Sequence, residues 1–399
     1  TFNNSYASSW ASHLGSVTGS SAGGYLSFVN SRASFAMSQL PASIPFTITT
    51  SGGAGFSVPG TSTVLRGNGW IDVANIKVNG QPTALNWIDD TTWEITVLLS
   101  SGPNALALSA VNHQGEDVGT DAITVTNTGT TELADSTNTI ISELHYHPAD
   151  PSSVEINVGF IDADLFEFVE ITNTGENTID LSSVRFTDGI LFGFSNGTTL
   201  AAGSSLIAVA NQAAIEFRYG ATTATIVGDY AGNLRNSGEH IRLEAADASP
   251  IADFTYGDDF PWPESADGPG YSMILAGGDP TIPLNWRPST ALGGNPGSSD
   301  TIAFSGAPAD ILSYALSSDI IVGIAADTFV LTLDQILAAD DAEIIVEYSM
   351  DMVTWTVAPG IDLISRDNNG DGTATLSYQA PLPPSTAPIH FARVRIALR

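Results

Sequence analysis

The sequence predicts an all-β protein of three tandem β-sandwiches with a short N-terminal helical segment. Two observations lead to this prediction. Apolar and polar residues alternate in many short runs separated by Gly, Pro, Asn and Asp, as in half-buried strands joined by tight turns. One long stretch repeats its apolar residues at helical spacing instead, and it precedes the first of these runs.

The N-terminal segment, residues 1–43, is predicted to contain an irregular lead-in and one helix. Residues 1–23 are rich in Ser and Gly and predict no regular structure. From Gly24 to Leu40 apolar residues recur near helical spacing, and Pro41 follows, which ends a helix. We therefore expect one helix over 24–40.

Residues 44–127 are predicted to form the first sandwich. Seven or so short runs within about 85 residues are typical of that architecture. Turn signals such as Asn79-Gly80 separate them, and the polar, Thr-rich stretch 126–139 is predicted to be a linker. The runs lie at Phe46–Thr49, Thr63–Leu65, Ile71–Val73, Ile76–Val78, Trp93–Val97, Leu106–Leu108 and Ile123–Val125.

Two further sandwiches are predicted over 138–298 and 301–399, with the Pro- and Gly-rich run Leu292–Ser299 as their boundary. Asn211 is predicted to cap a short helix that ends at Gly220. The predicted strands are Phe166–Thr172, Val184–Thr187, Ser204–Ala210, His240–Leu243 and Ile251–Tyr256, then Thr328–Leu333, Ile344–Tyr348, Thr354–Val357, Ala374–Tyr378 and Phe391–Ile396.

The composition excludes several classes of function. The 399 residues include 12 Lys and Arg against 43 Asp and Glu, a formal net charge of −31, which repels nucleic acid and anionic lipid. No apolar run approaches the ~20 residues of a membrane span. Cysteine is absent, which excludes disulfides, thiolate zinc sites and cysteine nucleophiles. The composition resembles that of bacterial surface and secreted β-proteins, so we expect an extracellular or cell-surface location.

The middle block, residues 138–298, contains several motifs in order. They are Ile141-Ser-Glu-Leu-His-Tyr-His-Pro-Ala149, Glu167-Phe-Val-Glu-Ile-Thr-Asn-Thr-Gly175, Asp180-Leu-Ser182, Arg185-Phe-Thr-Asp-Gly189, Asn236-Ser-Gly-Glu239 and Asn285-Trp-Arg287. Together they resemble the bacterial lamin tail domain. The resemblance implies an immunoglobulin-like fold and a non-catalytic module appended to exported proteins. The expected architecture is therefore three tandem immunoglobulin-like β-sandwiches.

The flanking blocks resemble parts of other surface proteins. Phe28–Phe35 and Gly67–Asp72 are similar to the last helix and the following sandwich of spore-coat-protein-H-type kinase-like proteins. Glu347–Ser349 and Phe391–Arg395 resemble a terminal sandwich of verrucomicrobial and planctomycete surface proteins. No phosphate-binding Gly-rich loop with a downstream lysine occurs, so phosphoryl transfer is not inferred. The resemblance and the start at Thr1 lead us to expect a processed protein or a piece of a longer one.

The sequence Asp367-Asn-Asn-Gly-Asp-Gly372 is the first candidate metal site. Asp367, Asn369 and Asp371 alternate as the oxygen ligands of a calcium loop do, and Gly372 permits the tight turn. An EF-hand would need a bidentate Glu where Tyr378 stands, so the segment is not an EF-hand. The alternative is a plain hairpin turn, for which Asx and Gly residues are equally suited.

A second candidate calcium group consists of Asp162 and Asp164 with Glu167 or Glu143. Carboxylate oxygens are the ligands that Ca²⁺ prefers. Glu170 is three positions from Glu167 and would point to the opposite face of a regular strand. The alternative is that these acids cap turns and face solvent.

Histidines and aromatic residues supply two further candidate sites. His145 and His147 are spaced i, i+2 on one predicted strand face, which suits Zn²⁺ or Cu²⁺, although a structural role is the alternative. His240 is predicted to be an ordinary surface or hydrogen-bonded histidine outside any metal group. Four aromatic residues have two possible roles, a platform for sugars or ordinary core packing. They are Tyr230, Trp262, Tyr271 and Trp286.

These observations predict a non-catalytic extracellular structural or adhesive module array, stabilised by calcium and self-assembling into a surface structure. The expected partners are further copies of the chain, other surface proteins or glycans, and not nucleic acid. Two alternatives remain open. In the first alternative the chain is a targeting or binding tail of a secreted kinase-like or hydrolytic enzyme. In the second it is a carbohydrate-binding protein.

Overall fold

The computed structural model describes residues 4–19, 23–39, 42–220, 225–299, 301–325, 328–357, 360–381 and 391–398. The chain divides into two units, residues 1–130 and residues 131–399. Strands make up most of the regular structure, so the all-β prediction is confirmed. Among the described residues, no helix is both long enough and apolar enough to cross a membrane.

The first unit begins with helix α1, Asn4–Thr18. The prediction of an irregular lead-in over 1–23 is therefore wrong for most of its length. The prediction rests on the Ser- and Gly-rich composition. Ser and Gly lower helix propensity only weakly, and the helical spacing of the apolar residues outweighs this effect. The missed signal is the spacing of Trp10, Leu14 and Val17, which places these side chains on one helical face.

The second helix, α2, covers Gly23–Ser38. It confirms the helix predicted over 24–40 from the apolar spacing. Leu40 and Pro41, on which the predicted end depended, lie outside the described residues.

Two sheets form the sandwich of the first unit. The strands described there are β1 Thr47–Ile48, β2 Phe56–Val58, β3 Ser62–Asn68, β4 Val73–Val78, β5 Gln81–Thr83, β6 Leu85–Trp87, β7 Thr92–Leu98, β8 Gly102–Asn112 and β9 Asp117–Asn127. One sheet has the order β1-β3-β7-β6 and the other the order β2-β9-β8-β4-β5. The sandwich core packs around the fully buried Trp93, whose indole N–H donates to the carbonyl of Asn68 at 2.9 Å.

The predicted Asn79-Gly80 turn joins β4 to β5. Both residues have positive φ, 51° and 86°, as the tight two-residue hairpin turn requires. The Asn79 side chain also holds the neighbouring strand, because its Oδ1 accepts from the N–H of Ala107 and its Nδ2 donates to the carbonyl of Ala105. Sequence reasoning and structure agree here because the signal is local.

The first part of the second unit, residues 131–288, is built on a six-stranded sheet. Its elements are β10 Glu132–Leu133, β11 Thr139–His145, α3 Ser153–Asn157, β12 Phe168–Asn173, β13 Ile179–Asp180, β14 Arg185–Asp188, β15 Phe192–Gly193, β16 Thr199–Leu200, β17 Ser205–Val209, α4 Gln212–Tyr219, β18 Ile226–Asp229, β19 His240–Glu244, β20 Pro250–Thr255, β21 Met273–Leu275 and β22 Trp286–Pro288. The six-stranded sheet has the order β18-β17-β12-β11-β21-β22.

The two faces of this sheet have different coverings. A four-stranded sheet, β15-β14-β19-β20, shares the main hydrophobic core with one face. A smaller cluster around Phe166, Phe168 and Ile215 forms where α4 packs on the other face. The main core is therefore that of a sandwich, and α3 and α4 belong to its outer side.

The stretch predicted as a linker, 126–139, contains part of this fold. Strand β10 lies within it and pairs in parallel with β13. A turn between β10 and β11 is fixed by Asn138, whose Nδ2 donates to the carbonyl of Leu133 at 2.9 Å. The linker prediction is therefore wrong for residues 132–139, because polar side chains there, Asp135 and Asn138, hydrogen-bond to the backbone and fix a turn.

Helix α4 begins and ends where the sequence predicts. The Oδ1 of Asn211 accepts from the N–H of Ala214 at 2.9 Å, and Gly220 follows the last turn with φ 85°. Asn211→Ala removes an N-terminal cap, so we expect the free energy of unfolding to fall by about 1 kcal/mol in urea titrations. Asn196→Ala, at an exposed position of the same domain, is the control and should change it by less than ~0.5 kcal/mol. Equal stability of both variants would contradict the capping role.

The last part of the second unit forms a further sandwich. Its elements are α5 Ile311–Ala315, β23 Ile321–Ala325, β24 Thr328–Ile336, β25 Ala342–Ser349, β26 Thr356–Val357, β27 Asp362–Asn368, β28 Thr373–Pro381 and β29 Phe391–Leu398. The sheets have the orders β23-β24-β28-β27 and β26-β25-β29. They enclose a core that includes Phe329, Leu331 and Leu376.

Candidate functional site

Strand β11 carries the first motif of the middle block, and its Glu143 is buried. The Oε1 of Glu143 accepts hydrogen bonds from the hydroxyl of Ser272 and from the backbone N–H of Asn295. The carboxylate therefore joins β11 to a segment far along the chain. We call this segment, residues 292–299, the covering loop.

Glu170 of β12 holds the same loop from the neighbouring strand. It is the register partner of Glu143, and its Oε2 accepts from the N–H of Gly297 at 2.6 Å. Its Oε1 accepts from the hydroxyl of Ser142 at 2.6 Å. Burial raises the pKa of Glu170. Two buried glutamates thus anchor the covering loop through its backbone amides.

His145 completes this anchorage. It is fully buried, packs edge-on against Phe168, and has its Nδ1 3.4 Å from the hydroxyl of Tyr219. That hydroxyl donates to the carbonyl of Gly293 in the covering loop at 2.6 Å. Burial lowers the pKa of His145 to about 3, so the ring is neutral at physiological pH.

His147 has a different partner from His145. Its Nδ1 lies 2.6 Å from the Oδ1 of Asp267, and it is half-buried beyond the end of β11. Tyr146 between the two histidines belongs to the main core. The predicted imidazole pair is therefore divided between two separate hydrogen-bonded contacts.

Asp164 belongs to a short 3-10 helix, Ala163–Phe166, and Asp162 is its N-terminal cap. The Oδ1 of Asp162 accepts from the N–H of Asp164 at 3.2 Å, and burial raises the pKa of Asp164. Within the part of the chain that the structure describes, no three His, Cys, Asp or Glu side chains converge as a metal site. Calcium binding by this group stays a prediction from the sequence.

Glu167 faces the main core. It is fully buried, and its Oε2 accepts from the hydroxyl of Tyr230 and from the N–H of Leu234, both at 2.9 Å. Its Oε1 is buried and has no hydrogen-bond partner among the residues that the structure describes. Burial raises the pKa of Glu167 to about 8. This carboxyl group is therefore largely protonated at neutral pH.

The Asp367–Gly372 segment is the hairpin turn between β27 and β28. The Oδ1 of Asp371 accepts from the N–H of Thr373 at 3.0 Å and from its hydroxyl at 2.6 Å, which lowers the pKa of Asp371. The Oδ1 of Asn369 accepts from the hydroxyl of Thr375 at 3.1 Å. These contacts are those of the plain-turn alternative, and calcium binding by Asp367, Asn369 and Asp371 stays a prediction.

A buried ion pair joins the two sandwiches of the second unit. Arg287 is 4% exposed, and its Nε and Nη2 donate to the two carboxylate oxygens of Asp340 at 2.5 and 2.8 Å. Arg366 donates to the carbonyl of Trp286 at 2.5 Å nearby. The sequence marks Arg287 within a motif, but its partner 53 residues away has no local signal.

His240 is a hydrogen-bonded histidine at the surface, in agreement with the prediction. Its Nδ1 lies 2.8 Å from the Oδ2 of Asp188, and its Nε2 lies 2.7 Å from the Oδ1 of Asp253. The hydrogen bonds to Asp188 and Asp253 raise the pKa of His240. These residues come from β14, β19 and β20, so the pairing depends on strand register, which the sequence did not reveal.

The predicted aromatic platform is not formed at the surface. Trp286 and Tyr230 are buried in the main core. The Trp262 ring packs against the same core, with its centroid 6.2 Å from that of Trp286. The core-packing alternative therefore holds for these three side chains.

A family comparison bears on the middle block. Residues 133–258 match the lamin tail domain. The match confirms the resemblance for the motifs from Ile141 to Glu239, and the Asn285–Arg287 motif lies outside it. The resemblance of the flanking blocks to kinase-like surface proteins stays a prediction. Among curated proteins, none matches the sequence significantly.

The comparison with solved structures gives matches of low similarity. SGBP-B from the mixed-linkage glucan utilization locus of Bacteroides ovatus, solved with a heptasaccharide, is 14% identical with a TM-score of 0.15, over 48% of this chain and 53% of that one. The chain thus spans about half the length of that protein. The fibronectin(III)-like modules of Clostridium thermocellum CbhA are 11% identical with a TM-score of 0.16, over 53% and 90%. The YadV chaperone is 8% identical with a TM-score of 0.18, over 51% and 95%.

Proposed function

We propose that the chain is a non-catalytic structural or adhesive module that acts at the cell surface by binding. One observation carries the proposal. The polar groups of the lamin-tail motifs are bonded internally, with Glu143 and Glu170 on the covering loop and Arg287 on Asp340. Side chains that are hydrogen-bonded inside the protein stabilise the fold. A binding partner would therefore contact the outer surface.

The architecture supports the same proposal. The lamin tail domain match and the β-sandwiches are typical of exported modules that are joined in series. The composition, rich in Ser, Thr, Gly, Ala, Asn and Asp and poor in Lys, favours the extracellular or cell-surface location that we propose. The net charge of −31 also keeps such a surface soluble.

Self-association through strand pairing is the second part of the proposal. Among the described strands, β29 is the outer one of its sheet and pairs with β25 on one side. The outer edge of a strand offers backbone N–H and C=O groups to another chain. On this strand Arg393 and Arg395 both bind Glu347, at 2.7 and 3.0 Å, so its one carboxylate offsets one of their two positive charges.

Light scattering of the purified chain in EDTA and in millimolar CaCl₂ tests the proposal. We expect the mass to rise in calcium, because ligands at the Asp367–Gly372 turn would stiffen the sandwich that carries β29. Asp371→Asn should abolish the rise. Asp279→Asn is the matched control, since Asp279 makes the same contacts to Thr281 as Asp371 makes to Thr373. If the measured mass were that of a monomer in both buffers, the result would contradict self-assembly. It would favour the alternative that the chain is the binding tail of an enzyme.

A further inference from the structure

The outer side of α3 and α4 exposes a group of apolar side chains. They belong to α3, to the loop after it and to α4, and each is between 45% and 74% exposed. We call them the α3–α4 patch, which consists of Val154, Ile156, Val158, Ile161 and Phe217. Exposed apolar groups of this kind, rimmed by polar residues, mark interaction sites more often than isolated apolar residues do.

The patch rests on a rigid base. Arg218 of α4 donates to both carboxylate oxygens of Glu155 in α3, at 2.7 and 3.2 Å. Its guanidinium lies 3.3 Å from the ring centroid of Phe166. Glu155 also accepts from the N–H of Ser152 at 2.6 Å, which caps α3. The two short helices are therefore fixed to each other, and the apolar side chains above them have a defined arrangement.

Aromatic contacts join the loop after α3 to α4. The ring of Phe160 lies 5.5 Å from that of Phe217 and 6.0 Å from that of Phe166. The N–H of Phe160 also donates to the carbonyl of Glu155 at 3.0 Å. Ile161 follows directly and is the most exposed member of the patch. The loop that carries Ile161 is thus in contact with α4, which carries Phe217.

The rim of the patch is negatively charged. Asp162 follows Ile161, Glu216 precedes Phe217, and Asp150 follows Ala149, whose carbonyl accepts from Arg218 at 3.3 Å. Arg218 does not offset these acids, because its side chain is 16% exposed and its charge is paired with Glu155. An apolar centre with an acidic rim favours an occupant with apolar residues flanked by Lys or Arg.

We propose that the α3–α4 patch is the docking surface for a cationic amphipathic segment of another protein. A second copy of this patch would oppose the same acidic rim, and like charges face each other in that arrangement. Anionic lipid is disfavoured for the same reason. This inference rests on the proposed binding function and deepens it by naming the chemistry of the partner.

The test uses the full chain and a dye-labelled amphipathic helical peptide of leucine and lysine, followed by fluorescence anisotropy. Val158→Ser with Ile161→Ser removes apolar surface without changing charge, and we expect affinity to fall about tenfold, as for the loss of an apolar anchor. Leu191→Ser with Ile282→Ser is the matched control, because both residues are exposed in the same domain. The control pair should bind as the wild type does.

Three outcomes would overturn the proposal. Equal affinity of the patch variant and the wild type for the peptide would mean that the peptide binds through the overall negative charge of the protein alone. Equal binding of a leucine and glutamate peptide would contradict the role of the acidic rim. A concentration-dependent mass of the protein alone, lost in the patch variant, would make a second copy the occupant. The last measurement uses the protein in EDTA, so it is separate from the calcium-dependent assembly tested above.

Discussion

Replacing Arg287 by alanine is expected to lower the free energy of unfolding of residues 131–399 by about 3–5 kcal/mol, because it leaves a buried carboxylate without its partner. Asp340 has a side chain that is 8% exposed, and it faces Arg287 through two hydrogen bonds. The hydroxyl of Thr301 also donates to Asp340, but a single neutral donor does not replace a guanidinium. Urea titration of the full chain, followed by circular dichroism, measures the effect.

A double variant and a surface control separate the contributions. Arg287→Met with Asp340→Leu removes both charges, and its stability should lie closer to the wild type than that of Arg287→Ala. Arg185→Ala removes the exposed pair with Glu244 and should change stability by less than ~1 kcal/mol. If Arg287→Ala were no more destabilising than Arg185→Ala, the pair would not join the two sandwiches.

Glu167→Gln is expected to stabilise the protein at high pH and to leave its stability almost unchanged at low pH. The pKa of Glu167 is raised from 4.5 to about 8 by burial. Between these values the folded state holds a proton that the unfolded state has released. The free energy of unfolding contributed by this group is therefore greatest below pH 4.5 and is lost as pH rises through about 8.

The glutamine variant mimics the protonated carboxyl group and removes this loss. Each tenfold difference in proton affinity corresponds to about 1.4 kcal/mol, so we expect a gain of a few kcal/mol above pH 8. Urea titrations in EDTA across pH measure it. Glu176→Gln, at an exposed position of the same domain, is the control and should keep the wild-type pH profile. Parallel profiles for Glu167→Gln and the wild type would show that Glu167 is ionised in the folded state.

Local signals explain which parts of the fold the sequence predicts. Asn211 and Gly220 bound α4 because capping and a positive φ depend on neighbouring residues alone. The Asn79-Gly80 turn is predicted for the same reason. Helix α1 was missed because its Ser-rich composition concealed the spacing of its apolar residues.

The candidate site depends on long-range contacts, which explains why much of it was not predicted. Glu143 meets Ser272 and Asn295, and Arg287 meets Asp340. A single sequence shows that such residues are of a suitable type, but it does not show which distant groups are opposite them. Carboxylates that suit a metal on composition are therefore bonded to backbone amides in the fold.

The α3–α4 patch is a second feature that the sequence alone does not predict. Its apolar residues are visible in the sequence, but their exposure depends on the sheet beneath them being covered already by Phe166, Phe168 and Ile215. The pairing of Arg218 with Glu155 likewise leaves the rim acidic. Neither the exposure of the apolar residues nor the acidity of the rim follows from the periodicity of the sequence alone.

Hydrogen exchange in the covering loop tests the central claim most directly, namely that the motif carboxylates serve the fold. Glu143 and Glu170 accept from the N–H groups of Asn295 and Gly297. Mass spectrometry of peptides from residues 292–299 should therefore show slow exchange, equal in EDTA and in CaCl₂. Fast exchange in both buffers, or protection that appears only with calcium, would mean that these carboxylates are available to a ligand and would contradict the account.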